Sequence, residues 1–512
     1  MKKIISVLLV FVLAFTCVIP AFAEDTEHPT IYITGAQTNQ LVDANGNQIY
    51  PIIDDVEPMD VVKEKLGPCL VELAKGLVTG NYETYAQELY DIIVPIYGTV
   101  ALDKNGEASD GSRPKNTIYT VNVQKQNANY GPWTYQFWYD WRISPMAAAD
   151  ELKIYIDMVR EATGEKQVNL TGRCYGANVI AAYLVKYEDH AVQYVDDVSY
   201  LASSVLGIDL LGAAFSGDIL LEADSMNNFL NYFLSTGNLF EDDSVTVFLL
   251  TLVELMNQLK LLGVTGSALT AIVDKIKTDV IPPIVRDTFA SMPSYWSMVP
   301  VEYYEKAVEF VFGDCKDEYA KMIEKTDDFY KNVQLTVEED MKAFKAKGID
   351  FHIFVKYNFP DYPIYEGSNA QGDGTTSAVR QGFGGDYAPY GEVFSDEYVN
   401  SLTDKTYLSP DLKVNGATCL FPENTWFIKN LHHDKFPNVI NIFAMNIMNN
   451  NVCVSDGVYP AFQEYVDGEF ITIEGTDEDA AKEKKNFFRL LIDFFKSLIE
   501  VMKKLFNGEI AL

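Results

Sequence analysis

The sequence predicts an α/β fold built on a mostly parallel central sheet, and three observations carry that expectation. First, short apolar runs rich in β-branched and aromatic residues read as strands: Ile31 to Thr34, Thr134 to Tyr139, Val168 to Thr171, Val198 to Ala202, Phe351 to Lys356 and Thr425 to Ile428. Second, amphipathic helical patterns separate several of them. "MAAADELKIYIDMVREATG" precedes the third strand and "ANVIAAYLVKYED" follows it, the alternation expected of parallel strands joined by helical crossovers. Third, the strand–turn–helix junction "VNLTGRCYGANVIAAYLVKY", Val168 to Tyr187, is too abrupt for a flexible loop.

The chain's 512 residues are 48% hydrophobic, enough for one large domain with insertions or for two domains. Lys and Arg total 40 against 73 Asp and Glu, a net charge of −33. Such a surface repels phosphate backbones, so no nucleic-acid partner is expected. Residues 1–23 read as a secretory signal peptide: Met1-Lys2-Lys3, the apolar run "IISVLLVFVLAFTCVIP", and the small-x-small ending Ala21-Phe22-Ala23. Export to the extracellular space, with the chain free or held at the cell surface, is the expectation. Removal of this segment leaves Cys69, Cys174, Cys315, Cys419 and Cys453, an odd number in a compartment that favours pairing. The Asn-Gly stretches "LVDANGNQIY" and "ALDKNGEASD" read as tight turns, because their acidic spacing is incomplete for a calcium loop.

The alternation sets the domain boundaries. Residues 24–207 form the first part of the core, and residues 349–466 form the second. Between them, residues 208–348 are a large helical insertion read as a cap or lid, with bulky residues such as Phe229, Tyr232, Phe233, Phe240 and Trp296. These residues suit a greasy substrate, and they equally suit a plain core. Residues 467–512 read as a charged linker followed by an amphipathic helix from Phe487 to Phe506, locally basic in an acidic chain. Docking on the protein's own body is the plainer explanation for that helix; contact with a membrane surface or cell envelope is the other.

The junction Gly172-Arg173-Cys174-Tyr175-Gly176 has the outline G-x-S-x-G with cysteine in the serine position. In such a turn the nucleophile is held in a strained conformation at a helix N-terminus, whose free N–H groups favour a thiolate and an oxyanion. A partner base must come from five histidines. His190 and His352 fall at the amino edge of the expected sheet and His28 near the mature N-terminus, whereas His432 and His433 follow the strand "TWFI" at its carboxyl end. Catalytic groups in such sheets gather at that edge. The acid lies after the strand "FHIFVK", where Asp361 is close to the strand end and Asp373 sits in a glycine-rich turn. The adjacent His432 and His433 lack metal-site spacing, and the chemistry needs no metal and no cofactor.

The elements "IYITGAQTNQL", "FWYDWRISPMAAADEL", "VNLTGRCYGANV", "GDGTTSAVR" and "ENTWFIKNLHHDKFPNVINI" resemble the lecithin:cholesterol acyltransferase-like branch of the α/β-hydrolases, in two blocks flanking the insertion. That resemblance implies the α/β-hydrolase fold and a carboxylic-ester substrate, lipid-like by analogy. It aligns Asp140-Trp141-Arg142 with the branch's D-W-R element, Cys174 with its nucleophilic serine and Gly372-Asp373-Gly374-Thr375 with its acid turn. The acid then becomes Asp373, with Asp361 the alternative, and the base becomes His433 before Asp434, with His432 the alternative. The loop Gly35-Ala36-Gln37 resembles the oxyanion loop but is poorer in glycine, so the implied donors are the backbone N–H groups of Tyr175 and Ala36.

Three readings of the cysteine follow. It attacks an ester as the nucleophile of a Cys-His-Asp triad; or the substitution silenced the enzyme, which now binds an apolar or envelope ligand; or it is a buried thiol with no role.

Overall fold

The computed structural model describes residues 28–51, 71–76, 78–120, 123, 134–220, 274–362 and 365–473. The expected signal peptide, Cys69, Phe229 to Phe240 and the C-terminal helix lie outside the described residues.

Eight strands form the central sheet: β1 (Thr30–Ile33), β2 (Thr134–Phe137), β3 (Val168–Arg173), β4 (Val195–Leu201), β5 (Asp350–Tyr357), β6 (Thr425–Lys429), β7 (Phe462–Val466) and β8 (Glu469–Thr472). Their order is β8-β7-β6-β5-β4-β3-β1-β2. Every neighbouring pair is parallel except β7 with β8. The carboxyl ends of β1, β3, β5 and β6 therefore open on one edge, and the loops that leave them can converge there.

Six of these strands are the ones expected from apolar runs, with β4 beginning three residues earlier than read. The seventh and eighth were not expected. β7 and β8 form a hairpin whose turn, Asp467-Gly468, has positive φ at both residues (50° and 95°). Asp-Gly is the pairing that such a turn demands, but the flanking residues Glu469 and Thr472 face solvent at the sheet edge and hide the strand period. The core therefore runs through Thr472, past the expected boundary at 466.

Parallel strands are covered on both faces, and the side chains divide accordingly. Phe351, Ile353, Val355 and Tyr357 of β5 join one large cluster with Ile31, Leu170, Val179 and Ile180. Phe354 points the other way, into a second cluster with Trp426, Ile440, Phe443 and Ile447. Helices α1 (Pro145–Thr163) and α2 (Tyr175–Lys186) contribute to the first cluster, and α7 (Asn438–Asn449) covers the second. α1 starts where the sequence says it should. Ser144 accepts the Met146 N–H at 3.2 Å, Pro145 opens the first turn, and the helix ends at Gly164 in the left-handed region. Two polar side chains of β3 bond internally: Asn169 donates to Asn449 and accepts the Asp197 N–H, and Thr171 accepts from Ser199.

The described part of the insertion is helical: α3 (Asp209–Ser216), α4 (Val301–Phe312), α5 (Ala320–Asn332) and α6 (Val337–Ala346), with shorter turns between them. Trp296 is core there, edge-on to Phe215 at 5.1 Å and stacked on Phe312 at 5.2 Å. It does not offer itself to a substrate.

Candidate active site

β3 ends at Arg173 and α2 begins at Tyr175, so Cys174 alone makes the turn. Its backbone sits at φ 47°, ψ −123°, a region that residues with a side chain rarely adopt. Such a conformation costs about 1–3 kcal/mol and persists only where its surroundings impose it. Two glycines make that imposition sterically feasible. A Cβ on Gly176 would lie 2.2 Å from the Ile33 carbonyl oxygen, and one on Gly172 would lie 2.8 Å from the Ala177 backbone. With both bare, β1 and α2 press against the turn. The Cys174 N–H donates to the Leu201 carbonyl at 3.1 Å, which fixes the turn to β4. The thiol is half-buried and carries no disulfide, like Cys315, Cys419 and Cys453.

The loop leaving β1 lies against this turn: a Cβ on Gly35 would approach Cys174 Cβ to 3.1 Å and Sγ to 3.7 Å. Half-buried Ala36 follows it, and Gln37, at φ 63°, donates its amide to the Tyr295 hydroxyl at 2.8 Å. Tyr175 is the first residue of α2, so its N–H precedes the first intrahelical bond and has no partner within the helix. The ring of Tyr175 is buried, and its hydroxyl donates to the Ile143 carbonyl at 2.6 Å.

Asp373 and His433 come from turns after β5 and β6, and they meet. His433 Nδ1 lies 2.7 Å from Asp373 Oδ2, and the His433 backbone N–H donates to the Asp373 carbonyl at 2.8 Å. The other carboxylate oxygen, Oδ1, accepts the N–H groups of Thr375 at 3.1 Å and Thr376 at 2.8 Å. With Nδ1 committed to the carboxylate, Nε2 is the ring nitrogen left for Cys174, whose thiol is close enough to act electrostatically on the imidazole. Burial by itself would favour a neutral imidazole, but the Asp373 carboxylate and then Cys174 outweigh it and hold His433 well above the ordinary histidine range. Burial likewise works against the Asp373 carboxylate; His433 and Lys356 overcome it and hold Asp373 below the usual range.

The alternative residues sit elsewhere. Asp361 is buried, takes the Tyr362 N–H, and is pushed up to about 7, chiefly by burial. It bonds to no histidine among the described contacts. His432 lies 3.3 Å from Asp434 and edge-on to Phe359, facing away from the Asp373 carboxylate that holds its neighbour. Asp140-Trp141-Arg142 is a structural clamp. Arg142 is fully buried against both Asp140 oxygens (2.9 and 2.7 Å) and Ser112, and the Trp141 indole donates to the Asn39 carbonyl.

Three contributors around the site were not read from the sequence. Arg380 grips Asp209 through two bonds (3.0 and 2.6 Å) and so ties the acid turn to the first helix of the insertion. Arg173, beside the thiol, donates to Asn441 of α7 at 2.9 Å. Lys356 reaches the histidine turn from β5. A signal for Lys356 was present, since a lysine at an inward position of the apolar run "FHIFVKY" has to find partners inside the protein.

Among the described residues no group of His, Cys, Asp and Glu could hold a metal ion. No protein-family model matches the chain, and no curated protein matches it.

Proposed function

We propose that this chain is an exported α/β-hydrolase that acts on carboxylic esters, lipid-like ones among them, by acyl transfer through Cys174, His433 and Asp373. The observation that carries the reading is the convergence of a strained, half-buried thiol at a helix N-terminus with a buried, hydrogen-bonded imidazole–carboxylate pair. The −33 charge and the leader-like N-terminus support an exported protein with a small-molecule or lipid ester as its partner.

The chemistry follows from the placement. The Cys174 sulfur attacks the ester carbonyl while His433 Nε2 holds the thiol proton, and Asp373 keeps the ring in that tautomer. Charge developing on the carbonyl oxygen falls where the Tyr175 N–H and the Gly35-Ala36 loop lie. The tetrahedral adduct collapses by breaking the C–O bond of the leaving alcohol, which takes the proton from His433. The resulting thioester is then attacked by water or a second alcohol. His433 removes the proton from that acceptor and passes it to the sulfur as the acyl C–S bond breaks, which releases the product and regenerates the thiol.

The test uses the mature chain and p-nitrophenyl esters of short and long acids, compared with Cys174→Ala. Turnover confined to the wild type is expected. Equal turnover by both proteins sinks the reading, whereas no turnover with lipid recovered from an organic extract points to a binding protein.

A further inference from the structure

Lys356 stands on β5, two residues from Phe354 and on the same face, and it is fully buried. Its ammonium donates to the carbonyls of His432 at 3.1 Å, His433 at 3.0 Å and Lys435 at 2.8 Å. It also lies 3.5 Å from the centroid of the Phe436 ring, with the Arg173 guanidinium 4.9 Å from the same ring. Residues 431–437 form neither helix nor strand, so few backbone bonds of their own hold them in place. An ammonium has three N–H donors, and three carbonyls of one turn use them all.

From this geometry we infer that Lys356 is a positioning residue: its ammonium holds the 432–436 turn and thereby sets the His433 ring between Asp373 and Cys174. The inference rests on the proposed reading of those three residues. Burying a cation costs several kcal/mol, and a methionine would fill the same space without that cost. Stability alone therefore does not account for the charge, whereas a turn full of inward carbonyls does.

The role depends on the proton. A neutral amine offers two donors and a lone pair, so one carbonyl is left facing a lone pair. The groups facing Lys356 are Asp373 from the acid turn, Arg173 from β3, Asp434 and His433 from the histidine turn, and Cys174. Burial pulls the ammonium down to about 7, opposed first by Asp373. The turn is fully anchored below that pH and loosens above it.

The experiment compares wild type, Lys356→Met and Lys356→Arg as full mature chains, with folding checked by thermal melts. Three readouts are taken: kcat and KM on a p-nitrophenyl ester from about pH 5 to about pH 9, the iodoacetamide labelling rate of Cys174, and the downfield imidazole proton of the His433–Asp373 bond by NMR. Lys356→Met is expected to lose kcat about 100-fold with KM nearly unchanged, since a displacement of about 1 Å costs that much, and to lose the downfield proton. Wild type should decline above about pH 7, and Lys356→Arg, a permanent cation, should regain most of the lost kcat without that decline. A Met variant with wild-type kcat and an intact downfield resonance overturns the inference, as does an Arg variant that keeps the decline. If the Met variant does not fold, the Arg pH profile decides. Wild type without turnover whose downfield resonance vanishes in Lys356→Met or sharpens in Lys356→Arg overturns the enzymatic reading and leaves the anchor standing; a resonance unmoved in both overturns the anchor.

Discussion

The sheet carries a histidine–aspartate pair at each end. At the carboxyl edge His433 meets Asp373 at 2.7 Å, and at the amino edge His352 of β5 meets Asp197 of β4 at 3.2 Å. All four residues are buried. The difference lies in what stands beside each pair. His433 has a half-buried thiol on a strained turn at the head of α2, while the remaining ring nitrogen of His352 faces the Asn424 amide at 3.4 Å, and its ring lies 6.1 Å from that of Trp426. Asp373 is also saturated by backbone N–H groups, which orient its second oxygen at the ring. The amino-edge pair therefore has only packing partners, whereas the carboxyl-edge pair has a half-buried thiol beside it.

Removing the thiol tests that contrast most severely. Cys174→Ala is expected to lower ester turnover about 10⁴-fold or more, because the pair left behind has no proton to move. A chain that retains more than about a tenth of its rate would place the chemistry elsewhere.

The next largest effect separates the two pairs directly. Asp373→Asn should reduce kcat about 10³- to 10⁴-fold by favouring the wrong imidazole tautomer, while Asp197→Asn should leave kcat within about twofold. Steady-state kinetics on both variants checks this, and similar losses in the two would erase the distinction. Asp197→Asn should register instead in the thermal melt, at about 1–2 kcal/mol, the usual cost of a weakened buried bond.

The smallest effect is in the pH dependence of stability. His433 is held above its unfolded value, so its contribution is complete below about pH 6.5 and fades as pH rises through the folded value. Asp373 is held below its unfolded value, so its contribution is complete above about pH 4 and fades as pH falls through the folded value. The pair therefore stabilises most between those limits, and Asp373→Asn should flatten that plateau. Parallel melting profiles for the variant and wild type would remove this pair from the stability of the fold.

Much of this arrangement is legible in the amino-acid sequence. The turn at Cys174 announced itself because its strand and helix are both strongly patterned and its glycines stand at the two positions where a Cβ has no room. The acid and base were each narrowed to two candidates by a rule about sheet edges, and the neighbours of Asp373 and His433 in the resembled motifs then selected between them. Less visible were β7 and β8, since an edge hairpin exposes polar side chains on both faces and loses its alternation. Also hidden was the bond from Arg380 to Asp209, whose partners lie 171 positions apart in the chain.

By itself the sequence determined the parallel core, the turn that bears Cys174 and the edge at which its partners had to lie, because these follow from local periodicity and from the space a side chain needs. The resembled motifs favoured Asp373 and His433, but only the tertiary structure brought their side chains together, left Asp361 without a histidine, and set Lys356 against the histidine turn. Those choices depend on which way a loop's carbonyls and side chains face once distant strands are side by side. The local pattern can say that a residue such as Lys356 must find partners inside, but not which carbonyls they are.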